Sequence, residues 1–311
     1  MRLVTFTVGS SPPRTGALID GDRKLLDLQA AYGRTYHGAS PLLHSMLDII
    51  EAGEAALDTI GQLLKAPSEA VAFKREEVRL LAPVPEPPQM RDFLCFEKHL
   101  RQAFEAVGKL RGVPARIPEV WYQRPIYYHP SRFSVCGTDT DVPWPRYCEK
   151  LDFELEFGCY IGRPGKDIGK ERAREHIFGY TIFNDFSARD EQTKEMAGQL
   201  GPGKGKDFDN GNAMGPCLVT ADEIGDPYRL EMVVRVNGEQ WGRGNSRDMH
   251  WKFEDCIAHA SRSETLHPGE FFGSGTVGNG CGLEQLRFLD PGDVVELEVE
   301  GIGVLRNRVV K

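Results

Sequence analysis

The sequence contains no apolar run of about 18 residues or more, so no segment reads as a membrane span. It shows no charged stretch followed by an apolar one at its start, so no secretory signal is expected. It has no CxxC pair. Its seven cysteines (Cys95, Cys136, Cys148, Cys159, Cys217, Cys256 and Cys281) are odd in number, and most sit in apolar contexts. This usage predicts reduced thiols serving as small hydrophobes in a cytoplasmic protein. Positive charge is also scarce: 38 Lys and Arg against 46 Asp and Glu leave a net charge of −8. With no basic stripe interleaved with aromatics, nucleic acid is not an expected partner. The Gly-rich stretch at 201–211 lacks GxxxxGK(S/T) and is no phosphate-binding loop. Internal repeats and low-complexity segments are absent. An acidic chain of this kind still suits a small anionic substrate if a metal and a few bases focus positive potential in one cleft.

What is present centres on residues 151–189. Asp152, Glu154 and Glu156 alternate there with Phe153, Leu155 and Phe157. A strand has period 2, so the three carboxylates share one face and the apolar side chains the other. A second apolar run, from Tyr180, ends in Asp185. Carboxylates at i and i+2 lie roughly 6–7 Å apart, a spacing that suits two ligands of one hard cation. A solvated edge strand would show the same acids. The mid-chain position between aromatic residues and the second strand ending in Asp185 favour a site for Mg²⁺, Mn²⁺ or Ca²⁺ built from oxygen ligands. Between the two runs, Gly162–Gly169 reads as a turn and Glu171–His176 as a short helix.

Residues 1–80 read as a small N-terminal unit, with a hairpin turning at Asp20-Gly21 and two helical stretches over Pro41–Ala56 and Ala55–Leu64. Four prolines at 83, 85, 87 and 88 make a stiff connector into a second domain, residues 81–311. Beyond it, Asp92 precedes a short strand and His99 opens a helix. Residues 107–123 have loop character, and the aromatic, basic segment 121–132 is either core packing or a wall for a flat anion. Ser187 reads as a helix N-cap, with Asp190 completing a capping box. Arg189 and Gln192 then project from one helix face just past Asp185. Lys206 lies in the Gly-rich loop, placed either in solvent or over a metal-bound anion. A second Gly-rich loop, 271–284, offers Thr276 and backbone N–H groups as an anion nest. Strands are predicted over Arg229–Asn237 and after Pro291-Gly292-Asp293, and a helix over Phe253–Ser261.

Several separated motifs occur together and in order. They are Asp92-x6-His99, the Glu154-x-Glu156 strand, FNDxSARDxQ over 183–192, Lys206-x-Phe-Asp ahead of Met214-Gly-Pro, Ser274-Gly-Thr276, and PGD-strand-GIGxLxN over 291–307. In this set the chain resembles the fumarylacetoacetate hydrolase family over about residues 78–311, and its N-terminal unit resembles that family's as well. The resemblance implies an α+β, mostly β fold: a mixed β-roll with the metal at its open end and a small N-terminal α/β domain. It implies Asp92, Glu154, Glu156 and Asp185 as metal ligands, with Mg²⁺ or alternatively Mn²⁺ or Ca²⁺ bound. His99 matches the catalytic base and Glu284 its partner, while Gln102 stands where the shorter branch of the family has a partner Glu. Arg189, Gln192 and Lys206 match the substrate and oxyanion contacts, Tyr128 a substrate-binding Tyr, and Thr276 the loop Thr. Leu94 replaces a Tyr of true fumarylacetoacetases. The implied reaction is hydrolysis of a C–C bond in a small β-diketone or diketo acid by water that His99 and Glu284 activate, in aromatic-compound catabolism. The alternative is a 2-oxo acid decarboxylase, hydratase or isomerase using the same enolate chemistry. A homodimer is implied by the family alone.

Overall fold

A computed structural model describes the protein over residues 1–311 except 113 and 115, with residues 110 and 111 described in backbone only. Strand outweighs helix, and two sheets carry the fold. The larger has 12 strands. Across its middle the order is Arg2–Thr7, Asn212–Thr220, Ile177–Asp185, Leu155–Ile161, Phe271–Gly273, Met90–Phe93 and Tyr127–Tyr128. The smaller sheet has five strands, built on Glu231–Val236, Val294–Val299 and Gly303–Val310.

The central strands are buried on both faces. Every residue of Leu155–Ile161 and of Ile177–Asp185 is buried, so each reads as a near-continuous apolar run. Phe157 is fully buried and packs edge-on to Phe253, with ring centroids 5.1 Å apart, and against Tyr180 at 6.3 Å. Two glycines let the strands close up. A side chain at Gly158 would strike the Phe271 ring and the Phe272 carbonyl, and one at Gly273 would strike the Asp92 carboxylate. Gly158 and Gly273 face each other across the sheet, and Gly273 faces Asp92 in the parallel pair beyond.

The strands of residues 1–80 extend this sheet. Leu3 pairs with Leu218 and Phe6 with Leu80. The hairpin turn falls where expected, with Asp20 at φ 53° and Gly21 at φ 62° between Arg14–Ile19 and Lys24–Asp27. The helical stretch after Pro41 is divided into a 3₁₀ turn at Pro41–Leu43 and α-helices Met46–Ala52 and Glu54–Lys65, broken at Gly53 with φ 56°. A further helix, Leu28–Tyr36, begins where Asp27 caps Ala30 N–H.

Three local expectations are corrected. The loop expected over 107–123 is helix through Arg111, in Glu97–Arg111, and again in Glu119–Gln123; residues 113 and 115 lie outside the described residues. Trp121 drives the second helix: its ring is buried and its Nε1 donates to the Leu94 carbonyl at 2.6 Å. The helix expected over 171–176 is a 3₁₀ turn, Ala173–His176. Ser187 is not an N-cap. It pairs with Asp152 in a two-residue ladder and donates to the Asp185 carbonyl, and Asp190 instead accepts from the N–H groups of Glu149 and Lys150. The strand Glu231–Val236, its turn at Asn237-Gly238, and the helix Phe253–Ala260 match the sequence reading. Among the described residues no helix is long and apolar enough to cross a membrane.

Because Phe157 sits on the strand that carries Glu156, its packing fixes the site as well as the core. Phe157→Ala is expected to cost about 3–5 kcal/mol of unfolding free energy, read as a lower urea midpoint at unchanged slope.

Candidate active site

Three strands of the larger sheet deliver carboxylates to one point. Asp92 comes from Met90–Phe93, Glu156 from Leu155–Ile161, and Asp185 from the end of Ile177–Asp185. All three are buried, and oxygen atoms of the three lie within 4.8 Å of one another. The Phe271–Gly273 strand lies between those of Glu156 and Asp92, and the missing side chain of Gly273 leaves the space that the Asp92 carboxylate fills.

Each carboxylate is held in place by a donor. Gly275 N–H donates to Asp92 Oδ1 at 3.2 Å, Thr276 Oγ1 to Glu156 Oε1 at 3.2 Å, and Tyr128 Oη to Asp185 Oδ2 at 2.7 Å. Thr276 and its loop therefore brace the acids directly, in place of the open anion nest expected from sequence. Two of these carboxylate oxygens, Glu156 Oε2 and Asp185 Oδ1, have no hydrogen-bond donor among the described residues. Unsatisfied buried carboxylate oxygens are costly, and here they belong to the same cluster.

Glu154 stands apart from this trio. Lys206 Nζ bonds to Glu154 Oε2 and to Asp185 Oδ2, each at 2.6 Å, and to the Asp185 carbonyl at 3.2 Å. Arg189 Nη2 lies 2.8 Å from Glu154 Oε1, near enough for charge attraction though off the line of an N–H bond. Lys206 is thus buried and bridges two of the expected ligands. Arg189 and Gln192 meet as their spacing implied, with Nη1 donating to Oε1 at 3.0 Å. Leu94 lies beside the site on the Asp92 strand's continuation, its N–H on the Ile126 carbonyl.

The charges do not balance. Among the described residues, the lysine and arginine side chains that pair with any of Asp92, Asp152, Glu154, Glu156 and Asp185 in the buried network are Lys206 and Arg189. Burial and the neighbouring Asp185 carboxylate push Asp92 well above the usual carboxylate range. Burial, then Asp92 and Glu154, push Glu156 well above it too. Asp185 is pushed up to about 6 by burial, against the pull of Lys206. Glu154 is the exception: Lys206 and Arg189 outweigh its burial and hold it well below the usual range. The set fits a hard divalent cation. It offers oxygen donors only, two of them orphaned, and negative charge in excess. Asp92, Glu156 and Asp185 would hold the ion, with Glu154 alongside.

The second element is a dyad. His99 is buried in the first turn of Glu97–Arg111, and its Nδ1 lies 2.8 Å from Glu284 Oε1. A carboxylate accepts, so this bond places the ring proton on Nδ1 and leaves Nε2 as the basic atom. Gln102, one turn on, does not join the dyad. Its side-chain amide donates to Asn279 Oδ1 at 2.7 Å and accepts from Asn279 N–H at 3.1 Å, tying the helix to the loop that carries Glu284.

Sequence reasoning gave Asp152 no role of its own. Its carboxylate accepts from Gly282 N–H at 2.7 Å, Leu283 N–H at 2.9 Å and Arg189 Nε at 2.8 Å. One buried acid therefore holds both the turn bearing Glu284 and the guanidinium facing Glu154. The available signal was its position two residues before Glu154, on the same face. Cys95 is fully buried with its Sγ 3.6 Å from Cys256 Sγ, in a packing role. A surface cavity of about 570 Å³, lined by residues including Pro143, Trp144 and Val310, shares no residue with this site.

Comparison with known proteins identifies the family. Residues 89–310 match the model of the fumarylacetoacetate (FAA) hydrolase C-terminal family. The chain belongs to the fumarylacetoacetate hydrolase family and is an enzyme of that superfamily. It is 34% identical to a mitochondrial oxaloacetate tautomerase of Xenopus laevis, over 100% of this chain and 90% of that protein. It is 31% identical to an oxaloacetate tautomerase of Bacillus subtilis (strain 168), over 94% of this chain and 95% of that one. Among solved structures it is similar to a fumarylacetoacetate hydrolase from Exiguobacterium antarcticum, with a TM-score of 0.77 and 26% identity over 100% of this chain and 99% of that one.

The raised carboxyls set a pH dependence. The folded protein holds protons on Asp92, Glu156 and Asp185 at pH values where the unfolded chain has lost them. The contribution of these three carboxyls to cation-free stability is therefore greatest below the unfolded carboxylate range and is lost as pH rises through about 6. A divalent ion competes with those protons, so the rise in Tm on adding Mn²⁺ is expected to grow over the same window. Differential scanning fluorimetry at several pH values, with and without Mn²⁺, checks this. A shift that shrinks as pH rises would refute it.

Proposed function

We propose that this protein is a metal-assisted enzyme of 2-oxo acid enol chemistry, acting as a keto–enol tautomerase on oxaloacetate or a closely similar small dianion. The observation that carries this reading is the buried His99–Glu284 pair set beside the all-oxygen cluster of Asp92, Glu156 and Asp185. A divalent cation bound there would supply Lewis-acid stabilisation of charge on a carbonyl or enolate oxygen.

The protein's own groups supply the rest. His99 Nε2 takes a proton from the carbon next to the ketone, and the C–H electron pair becomes the C=C bond of the enol form. Glu284 stabilises the imidazolium so formed. His99 then gives the proton to oxygen, completing a shift with no net change in composition. Lys206 and Arg189 bring positive charge against Glu154 and toward a dianion entering the site. The tautomerase names of relatives at 31–34% identity support this choice of reaction.

A second reading is hydrolysis of a diketo acid C–C bond. It is favoured by the same dyad, which can equally take a proton from water.

The assay follows the ultraviolet absorbance of enol-oxaloacetate in the presence of Mn²⁺ or Mg²⁺, alongside pyruvate formation and the loss of acylpyruvates. Rapid decay of the enol without pyruvate, abolished by EDTA, is the expected result. Cleavage of a diketo acid with no effect on the enol would establish the hydrolase reading instead. His99→Ala is expected to lower turnover by about 10²–10⁴, and near-normal turnover in that variant would remove His99 from the mechanism.

A further inference from the structure

The His99–Glu284 dyad has a third neighbour that the proposed reaction does not use. Cys281 Sγ lies 4.0 Å from His99 Nδ1, and donor atoms of His99, Cys281 and Glu284 all lie within 4.8 Å of one another. Cys281 is buried, as are the side chains of His99 and Glu284. Nitrogen, sulfur and oxygen converging in this way differ in kind from the all-oxygen cluster, and the combination selects a borderline ion over a hard one.

We propose that His99, Cys281 and Glu284 form a second cation site, specific for a thiophilic divalent ion such as Zn²⁺, and that filling it switches the enzyme off.

Three observations carry this. First, the donors are pre-placed. Cys281 and Glu284 lie in one tight turn, which Asp152 pins through Gly282 and Leu283 and which bridges to Glu154. His99 comes from a helix locked onto the same loop by Gln102 and Asn279. Second, the charges close. One thiolate and one carboxylate neutralise a divalent ion, and the imidazole binds uncharged, so the buried site carries no net charge. Third, the protons balance in a way that disables the base. Binding breaks the Cys281 S–H bond and releases that proton to solvent. It also takes Nδ1 of His99 from its bond to Glu284, so the ring proton moves to Nε2. An Nε2 that carries a proton no longer accepts one.

The site is distinct from the metal-assisted chemistry. An excess of Mg²⁺ or Mn²⁺, both hard ions, fills the oxygen cluster and does not displace Zn²⁺ from a thiolate. Binding itself is independent of the tautomerase reading, whereas loss of turnover rests on that reading's assignment of His99 as the base.

The test uses two readouts on the full-length protein kept in excess Mg²⁺. Co²⁺ is titrated spectroscopically as the probe for thiolate ligation, and Zn²⁺ is titrated in the activity assay. Wild type is expected to show a thiolate-to-cobalt charge-transfer band in the near ultraviolet. It is also expected to lose activity about 10²-fold, the contribution of a general base, near one equivalent of Zn²⁺. Cys281→Ser and Cys281→Ala, which leave His99 and Glu284 in place, are expected to keep their activity and to lose both the band and the tight inhibition. Two variants, one close to isosteric and one truncated, guard against one of them failing to fold. No charge-transfer band in wild type, or equal inhibition in both variants, overturns the proposal. A band without inhibition leaves the cation site standing and overturns the switch, and with it His99 as the base.

Discussion

Buried like charge is the constraint on which this structure depends. Five carboxyl groups and two cations share one water-poor region, and the two cations are spent mainly on Glu154, Asp152 and one oxygen of Asp185. Asp92, Glu156 and the rest of Asp185 are left to one another. Like charges at that separation in a poorly screened interior cannot all persist unless a proton or a cation intervenes. The upward push on all three carboxyls records the proton solution, and the two orphaned oxygens record the coordination that protons alone do not supply. A surface acidic patch would relax into water. This one is prevented from doing so by strands buried on both faces.

The backbone maintains that confinement by omitting side chains. Asp92 and Glu156 lie on strands separated by another strand, a distance that carboxylates could not normally share. Gly273 lies on the intervening strand, in register with both Asp92 and Gly158. Its bare Cα leaves the Asp92 carboxylate room to lean across toward Glu156. At Gly158 the Phe271 ring takes the corresponding space. The aromatic layer beneath, Phe157 against Phe253 and Tyr180, stops the strand from rotating its acids outward. Hydrophobic packing thus carries the electrostatic cost of the site.

Much of this was legible in the sequence because strand periodicity is a strong local signal. Alternation over 152–157 placed three acids on one face, and the structure shows that face to be buried. The hairpin at Asp20-Gly21 and the strand ending at Asn237-Gly238 were readable because residues with positive φ mark turns. What stayed illegible was the partnering of acids with distant cations. Glu154 alternates in sequence like Glu156, yet it is committed to Lys206, 52 residues away, and no spacing rule connects them. The same holds for Ser187, whose local pattern suits a helix cap but whose backbone is claimed by Asp152 in a short ladder. Residues 107–123 are rich in the Gly and Pro that mark loops. There Trp121 finds a buried seat against the Leu94 carbonyl, and tertiary packing overrides composition.

Asp152 shows how far acid cluster and base are one mechanical unit. Its two oxygens together receive Arg189 Nε and the N–H groups of Gly282 and Leu283. Arg189 fixes Glu154, and Glu154 with Asp185 fixes Lys206. Gly282 and Leu283 lead directly into Glu284, which fixes His99. Removing the Asp152 carboxylate would therefore leave Arg189 Nε and the N–H groups of Gly282 and Leu283 without their acceptor at once, a loss larger than any single contact among them. The disturbance would reach the base through the loop and the cation site through Arg189. In a site that must bring a proton acceptor and a charge stabiliser to the same substrate, one rigid acid shared between them sets their separation. Neither group has to find its place when substrate arrives.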